Sequence, residues 1–167
     1  YPDETPFVNS PQLLRATIKA VYEKGSALEY EVVEASALHR LIRYASEGVF
    51  DKDRDNIWLL HGGGFGATPP IARNIIFSID EGLRLFPQAI IGVTATGRDL
   101  FRIATLGMAM GCDLVRVGFE DSIHLPDGSV ARDNSEMVKA AVDIAAIYGA
   151  RPATVEEARA RFGLKAA

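Results

Sequence analysis

The stretch Asp113-Leu-Val-Arg-Val-Gly-Phe-Glu-Asp121 decides the fold, because it alternates like a buried β-strand and ends in two carboxylates. Successive side chains of a strand point to opposite faces. One face carries Val115, Val117 and Phe119, and the other carries Arg116, Gly118 and Glu120. Charged groups on an inward face are costly unless they are paired or ligated. The pattern therefore predicts either a structural ion pair between Arg116 and Glu120 or a functional site at the carboxyl end of this strand.

Three further strands precede this one. Residues 28–34, 57–61 and 89–94 are runs of apolar, aromatic and β-branched residues. Helical patterns cover residues 12–23, 36–47, 68–85, 99–110, 135–148 and 155–162. Strands therefore recur about every 30 residues, which is the length of a βα unit. Four such units in succession, with no hairpin signal between them, predict a parallel sheet with right-handed crossovers.

Four βα units fit either a small open sheet or half of an eight-stranded α/β barrel, which needs ~250 residues. The sequence opens at Tyr1 and its first methionine is Met108, which favours a portion of a longer chain. We therefore expect residues 1–167 to be the carboxyl-terminal half of a single (β/α)8 TIM-barrel domain. Open sheet edges need cover, so we expect the other half or a second copy to supply it, as in a homo-oligomer. In a barrel, side chains at the carboxyl ends of the strands reach the ligand, and Glu120 and Asp121 lie there.

Composition narrows the class of protein. A chain of 167 residues that is 48% hydrophobic is large enough for a core of its own. The net charge of −4 and the lack of any Lys or Arg run argue against a nucleic-acid or membrane surface. The single Cys112 excludes an intrachain disulfide and suits a reducing compartment. We expect a cytoplasmic protein that binds neither nucleic acid nor membranes, with Cys112 in its core.

Several short motifs occur in the order and spacing of one enzyme family. They are Asn9-Ser-Pro11, Glu29-Tyr-Glu31, the strand before the glycine loop with Ala67-Thr-Pro69, Val115-Arg-Val-Gly-Phe-Glu-Asp121, Asp127-Gly128, Asn134, Pro152-Ala-Thr154, Ala158-Arg159 and Phe162-Gly-Leu164. Together they resemble the β-keto acid cleavage enzymes, of which the 3-keto-5-aminohexanoate cleavage enzyme is the type member. The likeness covers nearly the whole chain, but only the carboxyl-terminal half of a family member.

The resemblance implies a zinc-containing (β/α)8 barrel that joins a β-keto acid with acetyl-CoA. The implied products are acetoacetate and the CoA ester of the remaining carbon skeleton. In the family, a His-x-His pair on an early strand and one glutamate of a late strand bind the zinc. The glutamate corresponds to Glu120, the aspartate beside it to Asp121 and the strand arginine to Arg116. The His-x-His pair is absent from this sequence, so the histidine ligands are expected outside this chain.

These residue types suit that chemistry. A carboxylate such as that of Glu120 is a normal third ligand for zinc, and the metal would polarise the keto group as a Lewis acid. Asp121 is a candidate to move a proton. Arg116 is a candidate to hold Asp121 or the substrate carboxylate through charge-assisted hydrogen bonds. Glu31, inward on its strand, is a further catalytic candidate, with an ion pair inside the barrel as the alternative.

Two loops are candidates for contact with CoA. Gly62, Gly63 and Gly64 follow a strand, and glycines let backbone N–H groups approach an anion; a tight turn is the alternative. Arg98, after the next strand, is positioned to meet a CoA phosphate. The run that begins at His61 also resembles an esterase oxyanion motif, but the Gly-x-Ser-x-Gly elbow of that class is absent.

Two other classes of protein fit parts of the pattern. A half-barrel without the metal-binding histidines suits a non-catalytic binding or regulatory module. An open-sheet nucleotide binder is the weakest alternative, because no Gly-x-Gly-x-x-Gly follows a strand. A His-x-His motif encoded upstream of Tyr1 would favour the enzyme. The side chain of the β-keto acid is not specified by this half of the pattern.

Overall fold

A four-stranded parallel sheet forms the centre of the fold in the computed structural model, which describes residues 8–51, 57–64 and 66–164. The strands are β1 (Glu29–Val32), β2 (Ile57–Gly62), β3 (Ile90–Ala95) and β4 (Leu114–Val115). They pair in chain order, and every pair is parallel. The prediction of four βα units, as in half of a (β/α)8 barrel, is confirmed. The sequence also predicts a polar turn at residues 51–56, before β2, which lies largely outside the described residues.

Six helices accompany the sheet in the described part of the chain. They are α1 (Pro11–Glu23), α2 (Ser36–Ser46), α3 (Ala72–Leu85), α4 (Leu100–Ala109), α5 (Asn134–Ile147) and α6 (Val155–Arg161), with a short 3₁₀ turn at Gly97–Asp99. A capping box begins α6, because the side chains of Thr154 and Glu157 accept hydrogen bonds from each other's backbone N–H groups. Among the described helices, none is both long and apolar enough to cross a membrane.

The start of α3 differs from the prediction. We expected a helix from residue 68, but it begins at Ala72, after Ile71 in an extended conformation. The two prolines before it account for the difference, since a residue that precedes proline is pushed away from the helical region. The segment between β2 and α3 is therefore a longer loop at the carboxyl edge of the sheet.

One face of the sheet packs against the helices and forms the main core. In the strand register, Val32 pairs with Leu60 and Leu60 with Val93, and all three are at most 3% exposed. Trp58 is fully buried on the same face and lies 4.4 Å from the ring of Phe86. The opposite face carries polar residues near its carboxyl edge. Helices thus cover the apolar face, and the opposite face becomes polar near the carboxyl ends of the strands.

The last of the four strands, β4, is shorter than predicted. It comprises Leu114–Val115 instead of residues 113–121, and its ladder ends where the Arg116 N–H donates to the Val93 carbonyl oxygen (3.0 Å). Gly118 then adopts a φ of 153°, which favours glycine, and its carbonyl oxygen accepts from two following backbone N–H groups. The chain turns there, and Phe119 is 41% exposed. The predicted alternation of faces is therefore wrong beyond residue 117.

Cys112 is half-buried and packs against the main core, as expected. Burial, with a smaller contribution from the charge of Asp113, raises the pKa of its thiol to about 11. The reactive thiolate form is therefore scarce near neutral pH. The structure gives this cysteine a packing role, away from the carboxyl edge of the sheet.

Candidate active site

Arg116 and Asp121 form a two-pronged ion pair just beyond β4. The Arg116 Nε and Nη2 atoms each lie 2.7 Å from one oxygen of the Asp121 carboxylate. The Thr94 hydroxyl is within hydrogen-bond distance of the same carboxylate (3.3 Å) and of the Arg116 carbonyl oxygen (3.2 Å). Only 4% of the Asp121 side chain is exposed, against 30% for Arg116. The turn at Gly118 thus folds the aspartate back onto the arginine.

The hydrogen bonds from Arg116 to Asp121 raise the pKa of the guanidinium above its ordinary value. Burial opposes this effect, while the negative charges of Asp121, Glu120 and Glu31 add to it. The arginine therefore stays charged. The contribution of Glu31 also places the carboxyl end of β1 within electrostatic reach of the group beyond β4.

Glu120 lies on the outside of the same turn. Its side chain is 85% exposed, and its carboxylate lies 3.4 Å from Arg116 Nη2. The ion pair between these two residues that the sequence suggested is therefore present, but it is longer than the Arg116–Asp121 contacts. The carboxylate of Glu120 remains open to another ligand.

A catalytic zinc site uses three protein ligands and one open position. No group of three or more His, Cys, Asp or Glu side chains suited to a metal occurs among the residues that the structure describes. Glu120 fits as a single anionic ligand, since it is exposed at the carboxyl edge and its ion-pair contact within the described residues is the long one to Arg116. The described residues do not by themselves form a complete zinc site.

His61, at the end of β2, joins the ends of β1 and β3. Its Nδ1 atom forms a hydrogen bond with the Glu31 carboxylate, and its Nε2 atom lies 2.8 Å from Thr96 Oγ1. The His61 side chain is 14% exposed and that of Glu31 is 46% exposed, while Thr96 is exposed. Glu31 thus has a hydrogen-bond partner on its own sheet face, and its catalytic part stays a prediction.

Sequence reasoning missed this network, because it treated His61 only as part of an esterase-like glycine motif. The available signal was the register of the parallel strands. Glu31 is aligned with Leu59 and His61 with Thr94, so Glu31 and His61 share a sheet face two residues apart. That alignment becomes visible only when three strands are considered together.

The glycine loop after β2 has a backbone that requires glycine. Gly63 and Gly64 have φ values of 83° and 80°, a backbone conformation that residues other than glycine rarely adopt. A Cβ atom on Gly62 would lie 3.2 Å from side-chain atoms of Pro70 and Ile75. The tight-turn explanation therefore holds for this loop, and contact with CoA stays a prediction. Residue 65 of the loop lies outside the described residues.

Arg98 lies just beyond β3 and is exposed. Its Nη1 atom is 3.5 Å from the carbonyl oxygen of Gly128, in the loop after β4. Arg98 forms no ion pair with another described residue. Its positive charge is therefore available to an anion at this edge of the sheet.

Backbone hydrogen bonds hold the three loops together. The Thr96 N–H donates to the Gly62 carbonyl oxygen (2.9 Å), and the Gly97 N–H donates to the Asp121 carbonyl oxygen (2.8 Å). The loops after β2, β3 and β4 thus form one connected edge. This edge carries the predicted site residues Glu31, Gly62, Gly63, Gly64, Arg98, Arg116, Glu120 and Asp121.

Comparison with known proteins agrees with this arrangement. A profile of the β-keto acid cleavage enzyme family matches residues 2–164. The 3-keto-5-aminohexanoate cleavage enzyme of Fusobacterium nucleatum is 33% identical over 162 residues, which cover 95% of this chain and 56% of that enzyme. The 3-oxoadipate:acetyl-CoA acetyltransferase of Cupriavidus necator is 31% identical over 160 residues, which cover 93% of this chain and 54% of the relative.

A solved structure shares the fold. ObcA, in a ternary complex with a C4-CoA adduct and oxalate, superimposes with a TM-score of 0.73 at 18% identity, covering 93% of this chain and 41% of ObcA. The chain spans about half the length of the curated relatives that it matches. The family profile, in contrast, accounts for nearly every residue present. This chain therefore belongs to the β-keto acid cleavage enzyme family.

Proposed function

We propose that the intact protein is a zinc-dependent β-keto acid cleavage enzyme, and that this chain is the carboxyl-terminal half of its single barrel domain. The main support is the Arg116–Asp121 ion pair, which lies at the carboxyl ends of the strands with the exposed carboxylate of Glu120 beside it. Family membership supports the class of reaction. The names of the two relatives support a β-keto acid and acetyl-CoA as substrates. We place the protein in the cytoplasm as a homo-oligomer.

The reaction exchanges one carbon–carbon bond for another. C2 of the β-keto acid attacks the acetyl carbonyl carbon of acetyl-CoA, and the CoA sulfur leaves with the electron pair of the broken bond. The CoA thiolate then attacks the original C3 carbonyl, and the bond between C2 and C3 breaks. The products are acetoacetate and a CoA thioester of the remaining skeleton. The chain must therefore bind two anionic substrates and manage protons at carbon and sulfur.

Arg116 is proposed to hold the carboxylate of the keto acid. Its guanidinium has five N–H donors, and the bonds to Asp121 occupy two of them. The remaining donors are on a side chain that is 30% exposed, and guanidinium groups suit carboxylates. Asp121 fixes the orientation of this arginine and is also the proposed acid–base residue. Its burial and its contacts favour the orienting part of that role.

Glu120 is proposed as the zinc ligand that this chain supplies, with the histidine ligands outside it. When bound, the metal would act as a Lewis acid on the keto oxygen. The glycine loop at Gly62, Gly63 and Gly64 is proposed to bind CoA together with Arg98, which forms no ion pair with another residue that the structure describes. Their support is position, since both lie on the edge that carries the Arg116–Asp121 pair.

The test uses the intact protein with acetyl-CoA and a panel of β-keto acids, followed by mass spectrometry of acetoacetate and of new CoA esters. Arg116→Gln should abolish turnover, because it removes the charge that holds the acid. Arg102→Gln is a matched control, since its side chain is 80% exposed and pairs only with nearby Asp99. If acetyl-CoA stays intact with every acid while the zinc-loaded protein still binds it, the protein is a binding module and the proposal is wrong.

A further inference from the structure

The Glu31–His61–Thr96 network has no part in the reaction described so far. It places a carboxylate on one ring nitrogen of a histidine and a hydroxyl group on the other. Hydroxyl groups arranged in this way can exchange protons through the imidazole, while the carboxylate holds the ring in one orientation. The network spans three successive strands and ends in an exposed threonine.

The hydrogen-bond partners decide where the protons lie. An ionised carboxylate only accepts hydrogen bonds, so His61 Nδ1 must carry a proton toward Glu31. A neutral ring then has a bare Nε2 atom, which accepts the Thr96 O–H. A protonated ring donates from Nε2 to Thr96 Oγ1 instead, which frees the threonine O–H for a neighbour. When His61 is neutral, the Thr96 hydroxyl can therefore only accept a hydrogen bond from a ligand. When His61 is protonated, the Thr96 hydroxyl can donate one to a ligand.

The exposed end of the network lies beside the loops proposed for CoA. A Cβ atom on Gly64 would be 3.5 Å from Thr96 Oγ1, so the glycine loop passes next to this hydroxyl. Arg98, the cation proposed for a CoA phosphate, is two residues further along the chain. The Asp121 carboxylate, in contrast, is buried and held on both oxygens by Arg116. Thr96 thus offers an accessible hydroxyl group beside the glycine loop.

We propose that Glu31, His61 and Thr96 form a proton relay that serves the sulfur of CoA. The proposal rests on the proposed function, in which CoA first leaves and then attacks. When the acetyl carbon–sulfur bond breaks, the sulfur keeps the electron pair and takes the Thr96 hydroxyl proton, and Thr96 takes one from His61 Nε2. In the second half, the thiol returns its proton to Thr96, which passes one to His61, and the sulfur bonds to C3. No net proton is gained or lost.

The groups that face His61 fix the expected pH dependence. Glu31 and Glu29 share its sheet face on β1, and β3 contributes the neutral Thr94 there. Beyond β4, the charged groups are the Arg116–Asp121 pair with Glu120 at its edge. Among these charged groups of the described residues, Glu31 is the one that is hydrogen-bonded to the ring. The relay therefore predicts one ionisation in the pH profile of turnover that depends on His61 and Thr96 together.

The first test needs no catalytic activity. Nitrogen NMR of the intact protein, with ¹⁵N-labelled histidine, reports which ring nitrogen carries the proton. The relay predicts that neutral His61 is protonated at Nδ1, and that Thr96→Val shifts the Nε2 resonance. His39→Gln identifies a second histidine signal, since His39 lies on the other side of the fold with Glu81. Protonation of neutral His61 at Nε2 would contradict the proposal, whether or not the proposed function holds.

The second test is the pH profile of kcat. Thr96→Val and His61→Gln should each lower kcat by roughly 10² to 10³ and remove the same ionisation from the pH profile. Thr96→Ser keeps a hydroxyl group and should retain both the turnover and the ionisation. Thr105→Val is the matched control, because its hydroxyl only caps a carbonyl oxygen within α4. An unchanged profile in Thr96→Val would overturn the relay. A wild-type protein that makes no acetoacetate would instead reject the proposed function.

The third test asks which substrate the relay serves. The C2 protons of the keto acid exchange with D2O when the enzyme forms the enolate, and NMR follows this without acetyl-CoA. Thr96→Val should keep the enzyme-catalysed exchange and lose acyl transfer. Equal loss of both would assign the relay to the keto acid and contradict a role at sulfur.

Discussion

Arg116 and Asp121 are joined by two hydrogen bonds of 2.7 Å, although the chain between them makes a turn instead of continuing as a strand. The turn brings the aspartate under the arginine and leaves the neighbouring Glu120 outside. Two adjacent carboxylates thus have different environments, one buried and paired and the other open to solvent. This difference is the basis for assigning them separate parts in the site.

Asp121→Asn should lower kcat by roughly 10² to 10⁴, which is the usual contribution of a positioned acid–base group. Asparagine keeps one acceptor oxygen, so Arg116 retains one of its two hydrogen bonds to this side chain and loses the other. Zinc content and substrate affinity should remain near those of the unchanged protein. Steady-state kinetics with elemental analysis checks this. An equal fall of kcat and kcat/KM would place the interaction in the transition state.

The control for that variant is Asp143→Asn, which removes an exposed carboxylate paired with Lys139 on α5. It should leave turnover unchanged. Near-normal turnover in Asp121→Asn would return Asp121 to a structural part and leave the proton transfer at carbon without a residue.

Glu120→Gln should lower zinc occupancy and turnover together. The change removes an anionic ligand and keeps the volume of the side chain, and the side chain is 85% exposed, so the thermal unfolding midpoint of the zinc-free protein should not move. Elemental analysis of the purified protein measures the metal. An unchanged zinc content would show that Glu120 is not a ligand.

Gly107→Ala should destabilise the protein by ~1–3 kcal/mol, which is typical of overpacking in a core. A Cβ atom at this position of α4 would lie 2.3 Å from Cγ2 of Val93, which is fully buried in β3. The free energy of unfolding, from chemical denaturation of the intact protein, checks the change. Gly82→Ala in α3 is the matched control, because its nearest contact would be 3.5 Å away. That variant should be neutral or slightly stabilising, and equal effects of the two would contradict the packing described.

Residues 1–167 expressed alone should self-associate or should need the rest of the protein to stay in solution. Both outer strands, β1 and β4, are paired on one side only by the described residues, and unpaired edges invite another chain. Sedimentation at several concentrations measures the association. A well-dispersed monomer that unfolds cooperatively would contradict the half-barrel arrangement.

The order and direction of the four strands were predictable from sequence. The buried strands of a parallel sheet have short apolar sequences, and helical patterns separate them along the chain. Val93 and Leu60, for example, lie in such runs and are buried as expected. Strand length was not predictable in the same way. The alternation of side-chain types after Val115 continues in the sequence through Gly118, where the backbone turns. A period of two in the sequence therefore does not show where the strand ends.

The site was predicted in part for a related reason. Its charged residues were recognisable by type and by their position at strand ends, as for Arg116. The partner of each one depends on contacts between different strands. His61 meets Glu31 and Thr96 only because three strands share a register, and Asp121 is buried only because of the turn at Gly118. Local patterns do not contain that information.

Positional labelling tests the central claim most directly. The intact protein is given acetyl-CoA with ¹³C at both acetyl carbons and an unlabelled β-keto acid, and the products are examined by ¹³C NMR. Since C2 of the keto acid bonds to the acetyl carbonyl carbon, the label should appear at C3 and C4 of acetoacetate and should be absent from the new CoA ester. Label in the new CoA ester, or no acetoacetate with any β-keto acid, would contradict the assignment of this site to β-keto acid cleavage.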